Sequence, residues 1–181
     1  SAPDATGLPG VYKIGVWHAS ANYADYRFGI DPATGAVLSL ADPAMPNAIQ
    51  HNGNTGFYGV ADQTVWRAGD RSINLFLRAG VVPSDRNLVS SYVDGGIGIK
   101  GLFDGRPDDL LTFGIAHGNI GAQARGLDRD VLAFNGPPYP IRDHETVFEL
   151  SYVFRATPWW SIQPDQQYIA HPGGRVPHPL D

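Results

Sequence analysis

Seven stretches of this chain alternate apolar and non-apolar residues with a period of two, and that alternation constrains the fold more than any other feature. Period two marks strands whose two faces meet different surroundings. The stretches cover residues 11–19, 56–67, 73–82, 91–102, 110–117, 145–155 and 159–169. In the first, Tyr12, Ile14 and Val16 oppose Lys13, Gly15 and Trp17. In the third, Ile73, Leu75, Leu77 and Ala79 oppose Asn74, Phe76, Arg78 and Gly80. In the fourth, Val93, Ile97 and Ile99 oppose Tyr92, Asp94, Gly96, Gly98 and Lys100. In the sixth, Phe148, Leu150, Tyr152 and Phe154 oppose Glu145, Val147, Glu149 and Ser151. The second stretch admits two phases: either Phe57, Gly59, Ala61, Gln63 and Val65 are the apolar side, or Tyr58, Val60, Asp62, Thr64 and Trp66 are. A β-bulge near Ala61 would reconcile them. No stretch reads as a helix.

The less apolar faces mix glycine with charge. Solvated sheet faces usually carry long polar side chains instead, and glycine in a strand gains no packing. Such a face predicts a side where room is required, a lumen. The connections alternate in length. Long polar segments cover residues 20–55, 118–144 and 171 onward, with a medium one at 83–90. Short turns cover 68–72, 103–109 and 156–158. Tight turns on one side, long loops on the other and strands of about 9–11 residues fit an up-and-down barrel crossing a bilayer. Trp66, Phe103, Trp159 and Trp160 stand near the short turns, where an aromatic belt would meet the lipid–water boundary.

Other classes are excluded or disfavoured. With no cysteine there is no disulfide framework and no thiol nucleophile. Thirteen basic against 18 acidic residues, a net charge of −5, argues against nucleic acid as partner. No apolar run is long enough for a transmembrane helix. The sequence contains no G-x-S-x-G, no phosphate-cradling G-x-x-x-x-G-K-[ST] and no H-E-x-x-H. His144-Glu145 with Glu149 lies on a strand pattern without zinc-motif spacing. Asp104, Asp108 and Asp109, and Asp128 and Asp130, lack the spacing of a calcium loop. No cofactor and no metal are expected, and the chain is read as non-enzymatic. Glu149 with Asp165 is the one carboxylate pair to nominate for glycoside hydrolysis, and both are better explained as wall residues. The competing reading is a soluble carbohydrate-binding β-sandwich, which needs its apolar faces to meet each other.

Four segments carry a family resemblance: PGVYKIGVWHAS (residues 9–20), GFYGVADQTVWR (56–67), LFLRAGVVPSDRNLVSSYVDGGIGIKGLFDGRPDD (75–109) and TPWWSIQPDQQYIAHPGG (157–174). Together they resemble the carbohydrate-selective porins of the OprB family, from bacterial outer membranes. The resemblance implies an all-β, antiparallel, sixteen-stranded transmembrane barrel, of which residues 1–181 would be one partial domain lacking the N-terminal half and the last strand. Alone, such a piece would form an open curved sheet. It implies passive sugar diffusion through a water-filled lumen, with mono- or oligosaccharides and outer-membrane lipid as partners. Monomer and homotrimer are both left open. Pore-lining and sugar-binding candidates, taken from the phase of each strand, are Lys13, Trp17, Arg78, Tyr92, Asp94, Lys100, Glu149, Gln163 and Asp165. Arginine or lysine facing lipid at the midplane costs ~2–4 kcal/mol, which places Arg78 and Lys100 inward. Gln166 falls on the lipid-facing phase of the seventh strand and leaves its register there open.

Overall fold

The computed structural model describes residues 7–44 and 46–176. Its elements are β1 (Gly10–Ile30), β2 (Val37–Ser39), β3 (Asn47–Ala68), β4 (Arg71–Val81), β5 (Val89–Lys100), β6 (Leu110–Ile120), α1 (Ala122–Asn135), β7 (His144–Thr157), β8 (Trp160–Ile162), β9 (Asp165–Ala170) and a short 3-10 turn, Pro172–Gly174. The strands form one antiparallel sheet in the order β2-β1-β3-β4-β5-β6-β7-β8, with β9 pairing β7 beside β8. From β3 to β8 each strand lies next to its chain neighbour, the up-and-down arrangement. At the β3–β4 turn only Gly69 and Asp70 intervene, and Gly69 takes φ of 59°, the left-handed backbone such tight turns use.

Directly paired residues share a face, so the register sorts every side chain. Ile14, Val16, Phe57, Leu75, Leu77, Val81, Val93, Ile97, Phe113, Ile115, Phe148 and Leu150 fall in one phase. Among the described residues nothing covers it: Ile14 is 94%, Phe57 60% and Leu77 53% exposed. The buried residues are instead mostly polar, among them Asn54, Thr64, Asp94, Asp109, Asp128 and Ser151, with only Ile120 and Ala124 as buried hydrophobics among the described residues. This inverts the usual burial order. A β-sandwich would bury the aliphatic phase under a second sheet, and the described residues contain none.

Several expectations need correction. Residues 20–55 are not a loop throughout, because β1 and β3 continue as a long hairpin to Ile30 and from Asn47. Its pairing slips between Ala19 and Asn22 and again between Ala24 and Gly29, which erases the alternation. The bulge in β3 exists but lies at Val65, between Thr64 and Trp66, rather than near Ala61. It sets Phe57, Gly59, Ala61, Gln63 and Trp66 in the aliphatic phase and Tyr58, Val60, Asp62 and Thr64 in the other. The seventh stretch is two strands broken at Gln163-Pro164, where proline has no N–H to give a ladder. The register is the same on both sides of the break, so Gln166 stands opposite Leu150 in the aliphatic phase.

Helix α1 forms where none was expected. Its buried residues are Ala124 and Asp128 on one face and Gly126 nearly opposite, small and charged groups without an apolar stripe. Two arginine forks hold it instead. Arg142 donates to both oxygens of the fully buried Asp128 at 2.7 and 2.9 Å, and Arg27 of β1 grips Asp130 at 2.8 and 3.1 Å. Gly126 is needed there, since a Cβ would lie 2.5 Å from the Arg27 guanidinium.

The β5–β6 turn is organised by Asp109, whose side chain is 2% exposed. It accepts two bonds from Arg106 at 2.8 Å, one from Arg155 N at 2.9 Å and one from the Tyr152 hydroxyl. Arg106 in turn lies 4.0 Å above the Phe154 ring. These donors, Arg106 foremost, lower the Asp109 carboxyl from 3.8 to about 2. A depressed carboxyl stabilises above its unfolded value and loses that contribution as pH falls through the folded one. The wild-type stability advantage over Asp109→Asn is therefore expected to be full above about 3.8, to shrink below it and to vanish near 2. Denaturant unfolding across that range measures it, and a pH-independent advantage would refute this role.

Candidate functional site

Pairing aligns the non-aliphatic phase into rows across the sheet. The middle row runs Lys13, Val60, Arg78, Asp94, Ala116, Val147. On its short-turn side lie Asp62, Phe76, Gly96, Gly114, Glu149 and Gln167. On its loop side lie Gly15, Tyr58, Gly80, Tyr92, Gly118 and Glu145. Strands about 4.8 Å apart put Lys13 and Arg78 roughly 10 Å from each other along the row.

At the centre, Arg78 Nε donates to Asp94 Oδ1 at 2.8 Å. The Asp94 side chain is 10% exposed and that of Arg78 56%, so the carboxylate forms the floor and the guanidinium stands above it. The guanidinium carbon lies 5.2 Å from the centre of the Phe76 ring. Phe76, Arg78, Tyr92, Asp94 and Glu149 line a depression of about 170 Å³. Glu149 accepts from Gln167 at 2.7 Å, and Gln163 donates to Ser151 at 2.8 Å. Asp165 stands opposite Ser151. Lys100 ends β5 at the short-turn edge, with Nζ 3.5 Å from Asp108. All nine sequence candidates thus point to one side; Phe76, Arg78, Tyr92, Asp94 and Glu149 cluster, while Trp17 and Lys100 sit at opposite ends.

The glycines on this face do more than leave room. A Cβ at Gly56 would meet the Trp17 indole at 2.5 Å, one at Gly15 would strike the Tyr58 ring, and one at Gly96 would lie 2.7 Å from Phe76 Cζ. Each glycine lets an aromatic ring of the neighbouring strand lie against the wall. Tyr58 and Phe76 are not among the sequence candidates: Tyr58 lies in the stretch with two open phases, and Phe76, on the face of Arg78, is apolar and was not singled out.

The long-loop end carries a second polar network. Asp25, 6% exposed, accepts from Arg27 N, Phe28 N and the His51 ring at 2.7 to 2.8 Å. Asp85, gripped by Arg86, is held below the usual carboxylate range, and its carbonyl accepts from Tyr26 N at 2.7 Å. Arg86 also donates to the Gly53 carbonyl at 2.7 Å. The network stitches loop 82–88 to the β1–β3 hairpin. Among the belt candidates, Trp66 flanks the β3–β4 turn in the aliphatic phase, Phe103 lies in the β5–β6 turn, and Trp159, 84% exposed, and Trp160 lie at the β7–β8 turn.

The family model "Carbohydrate-selective porin, OprB family" matches residues 1–178. The chain belongs to the OprB family. Two relatives are Porin B of Pseudomonas aeruginosa, 33% identical over 94% of this chain and 38% of the relative, and the putative porin QuiX of Acinetobacter baylyi, 26% identical over 93% and 37%. The high-pH structure of Pseudomonas putida OprB superposes with a TM-score of 0.83 at 30% identity, covering 95% of this chain and 42% of that one. The chain therefore spans less than half the length of these relatives. Its sheet is a run of OprB barrel wall, and the family's members are outer-membrane channels, not enzymes.

Proposed function

We propose that this chain supplies part of the wall of an outer-membrane pore through which sugars diffuse passively. On this reading the aliphatic phase faces lipid, the opposite phase lines the water-filled lumen, and further strands complete the circumference. The supporting observation is the inverted burial: a continuous aliphatic face left open beside a charged face with aromatic rings. Each exposed Leu, Ile or Phe side chain is worth roughly 1.5–3 kcal/mol when taken out of water, so a face of a dozen is not left wet. Lipid satisfies it. The free sheet edges need strand partners for the same reason, since hydrocarbon cannot hydrogen-bond a backbone.

The Arg78–Asp94 pair with Phe76 and Tyr92 has the chemistry a mono- or oligosaccharide needs: fixed donors and acceptors for hydroxyls and ring faces for the C–H surface. The full-length protein in planar bilayers tests this. Added glucose or an oligosaccharide is expected to reduce the current, and Arg78→Ala to weaken that block by about tenfold, as loss of one charged hydrogen bond implies. A current indifferent to sugars would demote the channel to a general pore, and a block unchanged in Arg78→Ala would leave Arg78 a plain wall residue. Oligomeric state and bound lipid follow from native mass spectrometry of the same sample.

A further inference from the structure

At the loop end of the aliphatic face, where the hydrophobic band stops, the phase turns polar: Ser91 pairs Asn119, Asn119 pairs His144, and His117 pairs Thr146. The start of β7 meets the 3-10 turn that follows β9 at this corner. Three imidazoles gather there. The His144 and His171 rings are 4.6 Å apart, with His171 Nδ1 2.9 Å from His144 Nε2. His117 lies 5.1 Å from His144, but both its nitrogens are engaged, by Thr146 and Asn119. Asp143 completes the cluster: one nitrogen or oxygen from each of Asp143, His144 and His171 lies within 4.8 Å of the others.

We propose that Asp143, His144 and His171 bind a divalent transition-metal ion of the zinc, nickel or copper class. Two imidazoles and one carboxylate suit these ions and not calcium or magnesium, which take oxygen ligands. Asp143 Oδ1 lies 3.3 Å from His144 Nδ1 and Oδ2 is turned to Arg175, so the carboxylate stands beside the imidazole pair. Bond lengths near 2.0–2.1 Å put two tetrahedral nitrogen ligands about 3.3 Å apart, so the His144–His171 pair opens by only a few tenths of an ångström. The scaffold is already braced. Ile120 N donates to the Asp143 carbonyl at 2.8 Å, Asp143 N to that of Gly174 at 3.0 Å, and Gly173 N to the Glu145 carboxylate at 2.7 Å.

A cation already occupies the place between two of the ligands. Arg175 Nε lies 2.9 Å from Asp143 Oδ2 and 3.4 Å from His171 Nδ1, and its side chain is 55% exposed, free to swing into solvent. The metal displaces it and clasps the segment after β9 onto the β6–β7 corner. The site is independent of the sugar pathway, being on the opposite face of the sheet.

Cobalt(II) titration of the full-length protein in detergent, read by visible absorption and competed with zinc, tests the site without any transport assay. One zinc-displaceable cobalt site is expected. His144→Ala and His171→Asn should weaken it by about a hundredfold; asparagine suits the left-handed backbone of residue 171, φ 56°, so that variant keeps the turn. His18→Ala, which removes an imidazole bonded to Thr55, should leave it unchanged. Arg175→Gln should tighten it several-fold. Absence of a cobalt spectrum in the wild type, or one that survives both histidine variants, overturns the site. Unchanged affinity in Arg175→Gln removes the ion from beside Asp143.

Discussion

Leu77→Arg is expected to destabilise the folded protein in a bilayer by ~2–4 kcal/mol, while Asn74→Arg, three residues away, changes little. The two positions lie on one strand, and the register puts them on opposite faces. Leu77 stands between Ala61 and Gly95 in the aliphatic phase, 53% exposed, near the middle of β4. Arginine there has no charge partner in its row and must desolvate or distort the bilayer. Asn74 stands between Thr64 and Gly98 on the other face and donates to Asp62 Oδ1 at 2.6 Å. Arginine there gains a carboxylate neighbour and water. Urea unfolding of the full-length protein from vesicles gives both values. Equal destabilisation by the two variants would mean that the faces are misassigned, and the pore reading would go with them.

Strict alternation made β4 to β7 readable from residues alone, because each pairs on both sides without internal slips over most of its length and one face is uniformly aliphatic. The nine pore-lining candidates were drawn from the phase of each strand, and the register sets them on one face of the sheet. What escaped did so for identifiable reasons. The upper halves of β1 and β3 carry Ser20, Asn22, Asn52 and Asn54, polar residues beyond the aliphatic band, with two register shifts that destroy period two. Helix α1 is secured by Arg27 and Arg142 forks and not by an apolar stripe, so it lacked the helical period. The bulge at Val65 was anticipated as a device but misplaced, since only the pairing of Trp66 with Ile73 fixes it. Glycine opposite an aromatic ring is a cross-strand relation and invisible along one chain segment. The histidine corner is similar: residues 144 and 171 are distant in sequence and meet only through the β7–β9 ladder, where Thr146 pairs Ala170.

Gly96→Val and Gly98→Val should part by the cost of overpacking a close contact, about 1–3 kcal/mol. Both glycines are in β5, both on the polar face, two residues apart. Valine is ordinarily the better strand residue, so propensity alone predicts stabilisation at each. At Gly98 the nearest atom to a new Cβ is Leu110 Cδ1 at 3.5 Å, an ordinary contact, and stabilisation or no change is the expected result. At Gly96 a new Cβ collides with the backbone oxygen of Phe113 and lies 2.7 Å from Phe76 Cζ. A carbonyl held in the β5–β6 ladder cannot step aside, so the strand pair must separate. Phe76 would have to leave its seat on Gly96, and the guanidinium of Arg78 already lies 5.2 Å from its ring. Gly96→Val should therefore lower stability and also reduce single-channel conductance, because the displaced ring enters the lumen. Denaturation and bilayer recordings on the two variants check the pair of effects together. If Gly96→Val proves as stable and as conductive as Gly98→Val, the glycines are mere gaps and the aromatic rings are not seated on them.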